Sequence, residues 1–273
     1  MNTATRVLVL LVVLWVLVPT MSGQGGSRSE LGRILETIPP DGPPWSYGNV
    51  VLRPARGGRM DPAVFPHWLH RSRYTCRVCH LELGFSIRRG ETGISRSGNL
   101  AGRHCGACHN GKVAFSVSSQ PKRQCQRCHT RDLKPLKRRF EQFAAGMPES
   151  RFGNGIDWAA ALREGLRDLQ DSLGTEQQTR MRLPPNLARD LELGTRAPRS
   201  GVRFSHREHF AEMDCSNCHP DIFQIQRSGT ELFSMERNIF GWYCGSCHMR
   251  VAFPMSHCNG CHPGMRDRLP GRR

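Results

Sequence analysis

The longest apolar run in the chain lies close to its beginning. Twelve apolar residues, 7–18, follow Arg6, and Pro19 and a stretch of mostly small residues, 20–23, come next. A positive start, an apolar run and small residues are the layout of a secretory signal. Twelve helical residues would cover about 18 Å, short of the ~30 Å hydrocarbon core of a bilayer. The pattern therefore predicts a signal peptide over residues 1–22, or an uncleaved anchor, and an exported chain.

A second regular pattern lies near the middle of the chain, within a stretch that contains no cysteine or histidine, residues 131–187. Apolar residues recur there at helical spacing, and Gly174 follows at the position of a C-terminal cap. The residues on this face are Trp158, Leu162, Leu166, Leu169 and Leu173. We predict an amphipathic helix over residues 157–173 in a linker. It is either a connector packed on a neighbouring domain or a helix that docks a partner.

The composition argues against one large protein core. Apolar residues make up 38% of the 273 positions and aromatic residues 7%, whereas Gly and Pro together number 46. Such a chain has little material for an extended hydrophobic interior. It is also not a multi-span membrane protein, a collagen-like fibre or an ordinary cytosolic enzyme with stray thiols. The net charge is +16, and the counts of Cys and His are both 12.

The cysteines fall into six C-x-x-C pairs, and a histidine directly follows each pair. C-x-x-C-H is the attachment sequence of c-type haem, in which the histidine is the proximal iron ligand. Zinc sites combine two such pairs and need no fixed trailing histidine, and disulfides would not explain the histidines. We therefore predict six covalently bound haems c. The cysteines are Cys76, Cys79, Cys105, Cys108, Cys125, Cys128, Cys215, Cys218, Cys244, Cys247, Cys258 and Cys261, and the histidines are His80, His109, His129, His219, His248 and His262.

Six histidines remain outside these motifs, and this is the number needed to give each of six irons a second histidine ligand. Four of them belong to two Phe-x-His-x-x-His sequences, each placed six residues before a C-x-x-C-H motif. Histidines at i and i+3 lie on one face of a helix and can project together towards neighbouring irons. We predict the six as distal iron ligands. They are His67, His70, His104, His206, His209 and His257.

The motifs are arranged in two copies. In both halves the first histidine of the Phe-x-His-x-x-His sequence precedes the first motif by 9 residues, and the first and middle motifs are 29 residues apart. The middle motif reads CGACH in one half and CGSCH in the other, and Val-Ala-Phe follows soon after each. Self-similarity of this kind indicates tandem domains. We place two three-haem domains at residues 45–130 and 188–265.

The copies differ next to the middle motif. His104 directly precedes that motif in the first copy, where the second copy has Tyr243. The second copy instead has His257, directly before the third motif. The sixth ligand of one iron in the second copy therefore stays open. This ligand is either His257 or one of the methionines Met235, Met249 and Met255, or the sixth position has no ligand.

The Phe-x-His-x-x-His sequence, three C-x-x-C-H motifs and a histidine before the middle motif resemble the class III multihaem cytochromes c, and among them the triheme c7-type domains. The resemblance implies a mostly irregular and α fold with a short β-hairpin in each domain, wrapped around haems. It also implies the axial pairs of the irons. These are His67 with His80, His70 with His109, His104 with His129, His206 with His219, and His209 with His248, whereas pairing His257 with His262 goes beyond the family pattern.

Irons closed by two imidazoles change redox state without binding substrate, so we expect an electron carrier rather than an enzyme. The expected role is a periplasmic relay in a respiratory chain, either free or attached to the inner membrane through an uncleaved N-terminal anchor. Its partners would be redox proteins, such as a membrane quinol-linked complex or a terminal reductase. Two alternatives stay open: a multihaem oxidoreductase with one open haem, and a haem-bearing subunit of a larger membrane redox complex.

The charge becomes less informative once haems are counted. Six haems bring about −12 from their propionates, which leaves roughly +3 for the mature ferrous protein. A basic stretch at 134–139 has no interleaved aromatic residues, so we expect no nucleic-acid partner.

Overall fold

The computed structural model describes residues 30–54, 58–118, 122–174, 180–193, 201–224 and 234–267. The predicted signal peptide or anchor over residues 1–22 lies outside these ranges. The chain divides into two units, Met1–Thr37 and Ile38–Arg273. In the first unit, the described part contains one short helix, Glu30–Glu36. Among all the described residues, no helix combines the length and apolar character that crossing a membrane requires.

Short helices and two small hairpins make up the regular structure. The helices are α1 (Glu30–Glu36), α2 (His67–Arg71), α3 (Arg96–Leu100), α4 (Cys105–Cys108), α5 (Lys134–Ala144), α6 (Trp158–Arg163), α7 (His206–Phe210), α8 (Met235–Ile239) and α9 (Gly245–His248). The strands are β1 (Asn49–Leu52), β2 (Ala63–Pro66), β3 (Asp190–Leu193) and β4 (Val202–Ser205). Tighter 3-10 turns occur at Pro44–Ser46, Lys122–Arg127, Pro185–Leu187, Cys215–Asn217 and Cys258–Gly260, and one wider π-helical turn occurs at Val78–Glu82.

Each copy begins with an antiparallel hairpin that leads directly into a helix. β1 pairs with β2, and β3 pairs with β4. Phe65 lies opposite Val50, and Phe204 lies opposite Leu191, so the phenylalanine of each Phe-x-His-x-x-His sequence sits on a strand. The two histidines of each sequence follow on α2 or α7. This confirms the predicted fold class of mostly irregular and helical structure with one short hairpin per domain.

The main apolar cluster lies between the first copy and the linker. It contains the buried side chains of Trp68, Phe140, Ile156 and Trp158. Phe140 comes from α5, which begins within the basic stretch of the linker, and Trp158 begins α6. A cluster of this size cannot enclose the interior of two domains, which agrees with the low apolar content of the sequence.

The predicted helix over residues 157–173 is wrong beyond Arg163. Asp157 caps the start of α6 by accepting a hydrogen bond from the backbone N–H of Ala160 at 2.9 Å. Gly165 has a φ of +69°, and the next N–H bonds back to the carbonyl oxygen of Ala161 at 3.0 Å. This is a Schellman end, in which a glycine at positive φ stops the helix.

Buried charged side chains join the linker to both copies. Arg167 of the linker binds the carboxylate of Glu212, in the second copy, with both nitrogen–oxygen distances 3.0 Å. Arg71 of the first copy reaches the same carboxylate at 3.4 Å. Arg71 also donates to the carbonyl oxygen of Val251 in the second copy at 3.0 Å. The two copies and the linker therefore share one polar contact.

Candidate haem attachment and ligand sites

All twelve cysteines lie in described parts of the chain, and none forms a disulfide. In five of the six motifs the backbone N–H of the histidine bonds to the carbonyl oxygen of the first cysteine, at 2.8 to 3.0 Å. The first motif instead lies where a helical turn passes into Val78–Glu82. Five motifs are therefore tight turns and the first is part of a helical turn, and such turns gather two thiols and an imidazole at one place, as covalent haem attachment requires.

The thiols are largely enclosed by protein. Burial raises the pKa of most of them, because water no longer stabilises the thiolate. The pKa rises to about 11 in three thiols and to about 12 in two, and in all five burial is the main cause. The first three are Cys76, Cys218 and Cys261, and the other two are Cys79 and Cys247. These side chains are neutral thiols at physiological pH.

The structure brings motif histidines and distal histidines together in pairs. The ring centroids lie 6.5 Å apart for His67 and His80, 6.3 Å for His70 and His109, and 6.1 Å for His209 and His248. Two imidazoles on opposite sides of one metal ion, with metal–nitrogen bonds of about 2 Å, have centroids roughly 6 to 6.5 Å apart. The spacing of these three pairs therefore fits an iron between the rings.

A fourth pair is indicated by electrostatics. The pKa of His206 is lowered, first by burial and then by the nearby His219. Burial also lowers the pKa of His67 and His248, to about 4 in each case. A neutral imidazole is the form that binds metal, so these environments suit iron ligands.

Most of these histidines are oriented through their Nδ1 atoms. Nine of the twelve have Nδ1 within 2.7 to 3.0 Å of an oxygen acceptor. An Nδ1–H that donates leaves Nε2 unprotonated and available to a metal. The acceptors are the carbonyl oxygens of Gly48, Pro66, Phe85, Phe115, Asp61, Ser205, Phe223 and Phe253, and a carboxylate oxygen of Asp267.

The phenylalanine of the Phe-x-His-x-x-His sequence holds both histidines that follow it. Phe65 stacks on His70, with centroids 4.2 Å apart, and meets His67 edge to face at 4.8 Å. Phe204 repeats the arrangement in the second copy, at 4.6 Å and 4.9 Å. The two histidines of one helix therefore face different motif histidines, which are His80 and His109 in the first copy.

The remaining predicted ligands are placed differently from one another. His104 packs against Phe85, with centroids 5.3 Å apart, and directly precedes α4. Its neighbour Cys105 lies close enough to Cys128 of the third motif for that thiol to raise its pKa, after the larger effect of burial. His257 lies instead beside its own motif, with Nδ1 2.9 Å from a carboxylate oxygen of Asp267.

Sequence reasoning missed the residues that orient the histidines. The carbonyl acceptors are backbone atoms, whose role does not depend on the residue type and so leaves no signal in the sequence. Asp267 does not stand at a characteristic distance from any motif. Gly106 and Gly245 are also structural requirements of the middle motifs, because a Cβ on either would lie 1.8 Å from a backbone oxygen. The shared CG-x-CH pattern of the two middle motifs was the available signal for these glycines.

Comparisons with known proteins match the same two copies. The family model "Cytochrome c7 and related cytochrome c" matches residues 63–130 and 202–264, which are the two copies. A solved "c7-type three-heme cytochrome domain" is 33% identical, and the match covers 34% of this chain and 98% of that domain, with a TM-score of 0.27. The chain belongs to the cytochrome c7 family. It is a multihaem c-type cytochrome with tandem c7-type domains.

Longer solved structures match both copies together. The C-terminal hexaheme fragment of GSU1996 is 24% identical over 79% of this chain and 96% of that fragment, with a TM-score of 0.26. The N-terminal hexaheme fragment is 24% identical over 80% of this chain and 99% of that fragment, with a TM-score of 0.25. No curated protein matches the chain. Family membership rests on the two matched regions and the 33% identity, rather than on these low-scoring overlays.

Proposed function

We propose that this cytochrome carries six haems c and acts as an electron relay. The observation that carries the proposal is the set of facing imidazoles 6.1 to 6.5 Å apart, whose Nδ1 atoms lie against carbonyl oxygens. Histidines held in this way would ligate the iron of a bound haem in pairs and would keep that iron closed to substrate. Bound haem supplies a reversible one-electron change at iron, and two histidine ligands favour lower potentials than a histidine–methionine pair.

The proposed ligand set extends the three spaced pairs to all six motifs. His206 would pair with His219, and His104 with His129, following the family pattern. The third motif of the second copy has His262 as its proximal ligand. All twelve motif cysteines would form the thioether links, because each lies in a turn that gathers its pair beside the motif histidine.

Contacts between the copies support electron exchange between the two groups of haems. Cys76 lies close enough to Cys247 to raise its pKa, after the larger effect of burial. Arg71 reaches from the helix of His70 to the carbonyl oxygen of Val251, close to the middle motif of the second copy. The first motif of one copy is therefore a neighbour of the middle motif of the other, which suits a path through all six haems.

The cellular setting belongs to the same proposal. The N-terminal pattern of residues 1–22 supports export to the periplasm, with or without an inner-membrane anchor, and haem c is attached to exported chains. The donors and acceptors would be redox proteins of a respiratory chain, such as a membrane quinol-linked complex or a terminal reductase. A small positive charge of roughly +3 after haem attachment would suit acidic docking surfaces on such partners.

The test uses the purified holoprotein. Absorbance of the pyridine haemochrome, set against protein concentration, should give six haems per chain, and a dithionite titration should take up six electrons. His67→Ala should convert one haem to the high-spin state in the ferric EPR spectrum, whereas Ser72→Ala, just after the same helix, should leave the spectrum unchanged. Fewer than six haems, or a His67→Ala spectrum identical to wild type, would contradict the proposal.

A further inference from the structure

Tyr243 occupies in the second copy the place that His104 occupies in the first. The two residues have φ angles of +47° and +48°, and no other non-glycine residue among those described has a positive φ. Non-glycine residues adopt this conformation only where the surroundings enforce it. The same backbone turn is therefore built twice, once around a histidine and once around a tyrosine.

The surroundings of the two side chains also correspond. His104 packs against Phe85 at 5.3 Å, and Tyr243 packs against Phe223 at 5.7 Å. In both copies this phenylalanine supplies the carbonyl oxygen that lies against Nδ1 of the first motif histidine. Two residues further along, Gly106 and Gly245 meet a backbone oxygen in the same close approach. The Tyr243 side chain consequently leaves the backbone at the same place as the His104 side chain and packs against the corresponding phenylalanine.

This place borders the third haem motif in each copy. The strand residue Val64 bonds to the carbonyl oxygen of Cys128 at 2.8 Å, and Arg203 bonds to that of Cys261 at 2.9 Å. The third motif is therefore fixed to its hairpin in the same way twice. Cys244, next to Tyr243, raises the pKa of Cys261 after the larger effect of burial, as Cys128 does for Cys105.

His257 is held against its own motif. Its Nδ1 lies 2.9 Å from a carboxylate oxygen of Asp267, and its ring contacts Phe152 at 4.4 Å and Phe253 at 5.0 Å. Its Nε2 lies 3.0 Å from the point where a Cβ on Gly260 would stand, so it faces the backbone of its own motif. The ring is thus packed against two phenylalanines and the backbone of its own motif.

We propose that the phenol of Tyr243, and not a second imidazole, is the sixth ligand of the haem attached at Cys258 and Cys261. The guanidinium of Arg237 donates to the Tyr243 hydroxyl at 3.3 Å and fixes its direction. Phenol oxygen is an established ligand of ferric haem but a poor match for the softer ferrous iron. In the reduced protein this haem accordingly takes a small neutral diatomic ligand, whereas the other five stay closed. The proposal rests on the six-haem assignment made above.

The test compares ferric EPR spectra and carbon monoxide binding to the dithionite-reduced holoprotein. Wild type should show one high-spin haem in six and bind one carbon monoxide per chain. Tyr243→His, which restores the residue of the first copy, should remove both signals. Tyr243→Phe, which keeps the ring but removes the oxygen, should change the high-spin signal and retain the binding. His257→Ala tests the competing imidazole directly, and it should leave the spectrum and the stoichiometry as in wild type.

Three results would overturn the assignment. They are a wild-type protein with low-spin haems only, a His257→Ala variant with an additional high-spin haem, and a Tyr243→Phe spectrum identical to wild type. The first result would arise from a histidine or a methionine at the sixth position. A count of six haems that are all low-spin would contradict the Tyr243 assignment but not the proposed electron relay. A lower haem count would contradict the proposed relay itself.

Discussion

At the scale of single residues, the middle motifs depend on two glycines more than on their neighbours. Gly106 and Gly245 lie in the turn of the CG-x-CH sequence, and each lies directly against the second-to-last residue of the preceding helix, Asn99 or Asn238. A Cβ would lie 1.8 Å from the backbone oxygen of that asparagine. Backbone oxygens inside a capped helix cannot move aside as a flexible side chain can, so these positions accept only glycine.

Gly106→Ala should therefore prevent the middle motif of the first copy from closing. We expect a loss of about 3 kcal/mol in the free energy of unfolding, because overpacking against backbone forces a shift of the chain. The haem count should fall by one, since the two thiols of that motif and His109 would no longer meet. Gly93→Ala is the control, because a Cβ there has open space within 4 Å. Equal unfolding free energies for the two variants would show that the close approach is relieved at no cost.

At the scale of elements, the sequence predicted where helices and hairpins occur better than it predicted how long each helix is. The two histidines of each Phe-x-His-x-x-His sequence were correctly expected on a helix, and both hairpins were expected from the family resemblance. The helix at 157–173 was too long, because Gly165 fell inside a continuous apolar stripe and its positive φ is decided by the chain that follows. Beyond that glycine, Arg167 turns inward to Glu212, a contact 45 residues away in sequence. No local pattern could reveal such a partner.

Trp158, at the first position of α6, links that helix to the apolar cluster. It is 8% exposed, and the guanidinium groups of Arg71 and Arg167 lie over its ring at 4.4 and 5.0 Å. Trp158→Ala should lower the free energy of unfolding by about 3 to 5 kcal/mol, measured by chemical denaturation of the holoprotein. Trp242→Ala should change it by about 0.5 kcal/mol or less, because Trp242 is 54% exposed. A loss for Trp158→Ala no larger than that of Trp242→Ala would contradict the role of the cluster.

At the scale of the whole molecule, haem-binding turns and buried charges replace an extended apolar core. Arg77 is fully buried and pairs with Glu82 of its own copy at 3.1 Å and with Asp214 of the other at 3.7 Å. Together with the Arg167–Glu212 contact, this places charge pairs at the junction of the copies and the linker. Buried ion pairs add little net stability but are costly to break, so they fix one arrangement of the joined parts.

The junction should make stability depend on pH through Glu212. Burial alone would raise its pKa, but hydrogen bonds and charge from Arg167 and Arg71 outweigh burial and hold the pKa below the ordinary 4.5. A carboxylate with a lowered pKa in the folded state stabilises the fold above the unfolded value and loses that stabilisation as pH falls through the folded value. The Cys76 sulfur, 4.0 Å from the carboxylate, carries no charge in this range, either as a thiol whose pKa burial raises or as the proposed thioether.

Glu212→Gln should therefore cost about 3 kcal/mol or more of unfolding free energy at pH 7, because it leaves the buried guanidinium of Arg167 without its countercharge. It should also flatten the fall in stability that wild type shows as the pH drops below 4.5. Denaturant titrations of both holoproteins at pH 7 and pH 4 measure the two effects. Glu141→Gln, which removes an exposed pair with Lys137, should change neither by a measurable amount. If Glu212→Gln retained the acid dependence of wild type, other carboxylates would have to hold the two copies together.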